Sequence, residues 1–487
     1  MRMTDRRWSK MKYTSTRGEV TDVSFEEVLF SGYARDGGLF MPEEIPSLDL
    51  ATLQTWSTHT YPQLVEEICS LFISSEDLPR EDLSDLISRA FRRFRHKDVV
   101  ELASLENGLN VLELWHGVTY AFKDLALSCV GQLLQYFLKK RKKQITIVVG
   151  TSGDTGSAAI ESVRGVDNVN IIVLLPRGRC SPIQELQMTT VIEDNVHVFA
   201  VDGTSDELDE PIRNVFADTE FVKKHNIMSL NSINWARVMV QIAHHFYAYF
   251  HCSPSMKETP LPEVEIVVVT GAAGNVTAGY IAQTMGLPIR LVAAVNENDI
   301  IHRTIQNGDF SLADSIKPSL APSIDIQEPY NMERIFWLLS GKDSVLIKTM
   351  MEEFQKMGKA NVPEALSTKL SLAFNSSTVN DENVIETMLR CWKENQYLLC
   401  PHSAVAVSYH YQQMDLGTNS VPRCCLATAA AAKFPEAVLK AGLTPEIPPE
   451  IRALETMDTR CTVMKRGEDW EKILHIKIEE VNALRKS

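Results

Sequence analysis

The chain has 487 residues, enough for two or three domains, and its 44% hydrophobic and 23% charged content is ordinary for a globular protein. A formal charge of −14 argues against nucleic acid or an anionic membrane surface as the main partner, while leaving small anionic ligands open. Nine irregularly spaced cysteines, with no CxxC pair, argue against a disulfide scaffold or a zinc ribbon and fit a reducing compartment.

The opening "MRMTDRRWSK" is basic, but no apolar segment follows it, so a secretory signal is not expected. No stretch of the chain approaches the roughly 20 apolar residues of a membrane span. A cytoplasmic protein is expected, with a short mitochondrial presequence ending before Tyr13 as the alternative. Residues 19–105 read as mainly helical, with apolar residues at helical spacing and polar breaks. Within them "FRRFRHK" (91–97) reads as a solvated helix face.

At 114–127 comes "LWHGVTYAFKDLAL", which places Lys123 at the mouth of a helix. Val130, Leu133, Leu134, Phe137 and Leu138 recur at helical spacing behind it, so that helix buries one face. A lysine in the first turn meets the positive end of the helix dipole, which disfavours its charged form. A neutral amine is what condensation with a carbonyl needs. The commoner alternative is a snorkelling lysine with a solvated tip, paired with Asp124. "KKRKK" (139–143) reads as the cationic end of the same helix.

Short β-branched runs then alternate with helical stretches: 144–149, 170–175, 196–201, 264–269 and 290–295. That alternation predicts an α/β fold with mostly parallel sheets covered on both faces. The cluster "AHHFYAYFH" (243–251) lacks HExxH spacing and reads as core. Helices dominate again from 331 to 397. Two glycine turns stand between a strand and a helix, "GTSGDTGSAAI" from 150 and "TGAAGNVTAGYIA" from 270. Unpaired amides and the helix dipole hold anions at such turns, and glycine lets the backbone approach closely. Neither turn is a standard nucleotide motif, and each alone can be a mere tight connection. Two anion turns and one lysine together suggest a ligand with two anionic ends and an aldehyde between them. Pyridoxal 5'-phosphate with an amino-acid substrate fits that description.

Seven ordered segments carry a resemblance. "YTSTRG" (13–18), "FSGYARDGGLFMPEEIP" (30–46), "LWHGVTYAFKD" (114–124), "TSGDTGSAA" (151–159), "NSINWAR" (231–237), "MGLPIR" (285–290) and "HSAVAV" (402–407) resemble the threonine synthase family of fold-type II pyridoxal-phosphate enzymes. The resemblance implies two α/β domains with a tryptophan synthase β-like fold and a helical N-terminal region. It implies division into 1–105, a large cofactor domain from 106–143 and 265–487, and a small domain from 144–264. Lys123 is then the Schiff-base lysine and proton-transfer base. Gly271, Ala272, Ala273, Gly274 and Asn275 form the cofactor-phosphate loop, and Thr428 meets the pyridine nitrogen. Thr151, Ser152, Gly153, Asp154 and Thr155 form the substrate-carboxylate loop. Arg17 and Arg237 are candidates for a substrate phosphate, with structural ion pairs as the alternative.

The chain departs from the family pattern twice. It has "GAAGN" where the family typically carries GNFGD, and "TAAAAKF" in place of TAHPAKF, with Ala430 and Ala431 at the histidine and proline. Fewer placed proton-handling groups favour simple expulsion of phosphate. The resemblance therefore implies a phospho-lyase that converts O-phosphothreonine or O-phosphohomoserine to 2-oxobutyrate, ammonia and phosphate. Threonine formation from O-phosphohomoserine and a catalytically weak cofactor-binding protein are the alternatives.

Overall fold

The structure is a computed structural model that describes residues 11–418 and 421–484. The expected presequence lies almost wholly outside the described residues. An antiparallel pair, β1 (Tyr13–Ser15) and β2 (Phe40–Pro42), opens the chain. Four helices follow, Phe25–Leu29, Leu50–Trp56, Tyr61–Phe72 and Arg80–Phe91, the first of them inside the pair. Three carry side-chain caps from Ser24, Asp49 and Thr60, which satisfy first-turn amides. Helices make up most of the regular structure before residue 105, beside this pair and a strand at Glu101–Ser104.

Next come β3 (Glu101–Ser104), β4 (Leu109–Glu113), β5 (Ile145–Gly150), β6 (Val169–Pro176), β7 (Val196–Val201) and β8 (Ile227–Met228). They are followed by β9 (Val264–Val269), β10 (Ile289–Val295), β11 (Asp309–Ser311), β12 (Lys359–Asn361), β13 (Phe374–Thr378), β14 (Arg423–Ala427) and β15 (Thr462–Met464). A six-stranded sheet has the order β13-β10-β9-β14-β4-β3, and a five-stranded sheet the order β15-β7-β6-β5-β8. All pairings in the two sheets are parallel except β3 with β4. The central strands β5, β6 and β9 are buried at every position, as continuous β-branched runs sandwiched between helices should be.

Two segments fall on the other side of the expected division. β3 belongs to the large sheet although it precedes residue 105, because its hairpin pairs Glu101 with Glu113 of β4. β15 and the helix Trp470–Ala483 join the small sheet instead of the large one. β15 pairs with the edge of β7, and Leu474, Ile478 and Val481 pack in one core with Val148, Ile172 and Leu174. Among the helices of 331–397 stand two strands that the sequence pattern does not predict, β12 and β13, since neither "KAN" nor "FNSST" has an apolar run.

"FRRFRHK" is not a helix face, since the helix ends at Phe91 and Arg95 turns inward to the loop before Lys123. The "KKRKK" segment does end its helix, which runs Lys123–Arg141 and closes on Lys142 in the left-handed conformation.

Candidate active site

Four loops meet at the carboxyl ends of β4, β5, β9 and β14, the place where open parallel sheets bind ligands. After β4 the chain is held by Arg95, whose backbone N–H donates to His116 O at 2.9 Å. Its guanidinium donates to the carbonyls of Gly117 and Val118 and lies 3.8 Å over the Tyr120 ring. Residues 120–122 then run antiparallel to 428–430: Phe122 N–H donates to Thr428 O at 2.8 Å, and Ala430 N–H to Tyr120 O at 3.0 Å. This backbone ladder sets Lys123 beside Thr428.

Lys123 starts its helix with Nζ 4.1 Å from the Phe122 ring centroid. Burial lowers its pKa to about 7; Asp154 opposes that shift, and Arg237 and Lys433 add to it. The pairing with Asp124 does not form. Asp124 turns the other way and accepts from Thr119 N–H and Oγ1, each at 2.8 Å. A Cβ on Gly117 would stand 2.4 Å from the Asp124 Cβ, so glycine is required there.

In the first glycine turn, Thr151 Oγ1 accepts from the amides of Gly153 at 3.0 Å and Gly156 at 2.9 Å. Gly153 has φ +142°, and a Cβ there would come within 2.4 Å of Gln184 Nε2, which donates to Asp154 Oδ1 at 2.9 Å. Asp154 Oδ1 also lies 2.6 Å from Lys433 Nζ, and both groups are buried. Burial alone would raise the Asp154 pKa; Lys433, Lys123 and His402 outweigh it and hold the carboxylate well below its ordinary range.

The second turn leads from β9 through Thr270, Gly271, Ala272 and Ala273 into the helix Gly274–Thr284. Ala273 takes φ +65°, and a Cβ on Gly271 would stand 3.0 Å from Ile324 Cα. Asn275 Oδ1 accepts from His244 Nε2 at 2.7 Å and His245 Nε2 at 3.0 Å. Burial keeps both imidazoles neutral, with His245 lowered to about 4. The histidine cluster is therefore core, as read, and it orients Asn275. Asn275 Nδ2 and Thr270 Oγ1 are left buried without a partner.

These loops line one common cleft. Every residue expected from the resemblance lines it except Gly153, in the turn itself, and Arg17. The cleft also presents groups to which no role was assigned: Asn231, Ser232, Gln241, Ser323, Tyr330 and His402. Asn231, Ser232 and His402 lie inside the segments "NSINWAR" and "HSAVAV" that carry the resemblance. Ser323 and Tyr330 come from an irregular loop with no sequence signal. His402 Nε2 accepts from Ser323 N–H at 3.0 Å, its Nδ1 is buried without a partner, and burial lowers its pKa to about 4.

The two arginines differ. Arg17 is a structural ion pair, with Nε 3.0 Å and Nη2 3.1 Å from the two carboxylate oxygens of buried Glu333. Arg237 lines the cleft, donates from Nη1 to Leu230 O at 3.1 Å, and leaves Nε without a partner. Burial lowers its pKa to about 10, with only Tyr330 opposing. Ala430 and Ala431 do not line the cleft. Ala430 packs with Tyr120, Ile183 and Ile451, and Ala431 belongs to the core around Phe434 and Val438.

The chemistry of the cleft fits pyridoxal phosphate. It offers an amine whose pKa burial lowers to about 7. It also offers a loop of small residues at a helix N-terminus, with two buried polar side-chain groups lacking partners.

The family described as "Threonine synthase N terminus" matches residues 12–91, "Pyridoxal-phosphate dependent enzyme" matches 99–417, and "Threonine synthase, C-terminal" matches 403–476. The chain is 67% identical to threonine synthase-like 2 of Homo sapiens over 97% of its own length and 98% of that protein's. It is 37% identical to a crystal structure of threonine synthase from yeast, TM-score 0.86, covering 97% of this chain and 99% of that one. Pyridoxal-phosphate-bound threonine synthase from Brucella melitensis matches at 33% identity and TM-score 0.86, covering 96% of this chain and 99% of that one.

Proposed function

This chain belongs to the threonine synthase family of pyridoxal-phosphate-dependent enzymes, and from that membership we propose that it is a phospho-lyase acting on O-phosphothreonine and O-phosphohomoserine. The observation that carries a phosphorylated substrate is Arg237. It is a buried guanidinium in the cleft, beside Asn231 and Ser232, and no carboxylate neutralises it. Burying an unpaired charge is unfavourable, and a phosphate dianion would supply the missing partner with bidentate geometry.

When bound, pyridoxal phosphate supplies an aldehyde for the substrate amine and a ring that spreads the negative charge left at Cα. In this reading the amides of Ser152, Asp154 and Thr155 hold the substrate carboxylate and Arg237 holds its phosphate. Lys123, whose amine is neutral above about pH 7, accepts the Cα proton. A phosphate on Cβ leaves directly, whereas one on Cγ leaves after a second deprotonation, at Cβ, and a proton then returns to Cγ. Hydrolysis of the unsaturated amine then gives 2-oxobutyrate and ammonia.

One observation favours threonine formation as a second reading. Ala430 and Ala431 stand outside the cleft, and His402 offers an imidazole within it. Product analysis separates the two. The holoprotein is incubated with each phosphorylated amino acid, and 2-oxobutyrate, ammonia, phosphate and threonine are quantified. Equal 2-oxobutyrate and phosphate supports the lyase. Threonine as the main product from O-phosphohomoserine overturns it.

A further inference from the structure

The outer edge of the large sheet holds a second cluster of chemistry-bearing side chains that the cleft does not use. Register in the antiparallel β3–β4 pair sets Glu101 directly opposite Glu113. Like charges in that position repel, so a cation between them is favoured. His116 reaches the same point from the loop that follows β4, with Nε2 2.8 Å from Glu113 Oε2 and 3.9 Å from Glu101 Oε2. The three ligand atoms lie within 4.8 Å of one another. Tetrahedral zinc with metal–ligand bonds of about 2.0–2.2 Å sets its ligands roughly 3.3–3.6 Å apart, between the two separations seen here.

The surroundings have the character of a supporting shell. Tyr397 OH donates to the other oxygen of Glu113, and the Trp115 ring stacks on His116 at 4.2 Å between centroids. His96 Nε2 stands 3.3 Å from Glu101 Oε2. Such partners fix the orientation of metal ligands. Two carboxylates also balance a doubly charged cation.

We propose that Glu101, Glu113 and His116 bind a divalent cation of the zinc class at the root of the loop that carries Lys123. His116 stands seven positions before Lys123 in sequence, and its carbonyl is already held by Arg95. The ion would pin the start of that loop, which makes it a structural ion outside the cleft.

The test uses holoprotein freed of metal by chelator and dialysed against a fixed, buffered concentration of free zinc, with bound metal measured by mass spectrometry. Glu101→Gln is the comparator: its side chain is 48% exposed, so the variant folds, and it carries the same cleft and cofactor as the wild type. The wild type should retain about one equivalent more zinc than Glu101→Gln, whose affinity should fall at least about tenfold. Zinc should also raise the Tm of the wild type and not of the variant. Equal zinc retention by the two proteins, or none by either, overturns the assignment.

Discussion

Burying a guanidinium with no carboxylate beside it is unfavourable, and Arg237 is held in that condition by Leu230 O alone. If the missing partner is the substrate phosphate, Arg237→Gln removes a buried charge pair in the complex. Such losses run to about 2–5 kcal/mol, roughly 30- to 5000-fold in kcat/KM. The loss should appear with both phosphorylated substrates, while the cofactor absorbance of the purified variant stays as in the wild type. An unchanged kcat/KM would remove Arg237 from substrate binding. Lys123 gives a pH dependence. Its pKa of about 7 means the amine is neutral above that pH and protonated below it. Loading of cofactor onto apoprotein should therefore slow about tenfold per unit below pH 7 and level off above it. Because Asp154 holds the ammonium form up, Asp154→Asn should move the midpoint lower. A midpoint near that of free lysine would show that the amine is solvated instead of buried.

At the scale of elements, the first glycine turn couples conformation to charge. Gly153→Ala forces a side chain into φ +142° and against Gln184, which positions Asp154. Strain of this kind is worth about 1–3 kcal/mol per residue. The variant should lose several degrees of Tm and bind substrate less tightly, yet still be reduced by borohydride at Lys123, since the Lys123 loop is built separately. Wild-type Tm and KM in the variant would show that the turn tolerates a side chain. The elements legible in the sequence were those governed by local rules. β5, β6 and β9 read directly because burial on both faces demands unbroken β-branched runs. β13 and β15 did not, because edge strands with one wet face, "FNSST" and "TVM", carry no such run. The Lys123–Asp124 pairing failed for a local reason as well: adjacent residues on a helix point about 100° apart and do not face each other. Lys123 and both glycine turns were found because each is one contiguous segment. That Arg17 is paired and Arg237 is not could not be read, since Glu333 meets Arg17 only through the tertiary fold.

At the scale of the whole molecule, the two sheets share the cleft but are completed differently. Small-sheet strands β5 to β8 come from one stretch of chain, whereas its last strand and one covering helix arrive from the C-terminal end. Residues 462–483 close the open edge of β7 and bury Leu474, Ile478 and Val481 against the sheet. Burial of each such side chain contributes about 1.5–3 kcal/mol, so removing the segment forfeits roughly 5–9 kcal/mol and exposes a sheet edge that invites pairing with other chains. A chain ending at Arg460 should therefore aggregate, or unfold its 144–230 region at a lower temperature than the intact protein. The large sheet, with Lys123, Thr428 and the 271–275 loop, takes none of its strands from the deleted segment. Hydrogen exchange on any soluble fraction should show protection lost first across β5, β6 and β7, with β9 and β14 retained. Uniform loss across both sheets would mean that the two fold as a single cooperative unit, with the C-terminal segment holding the entire cleft together instead of one wall of it.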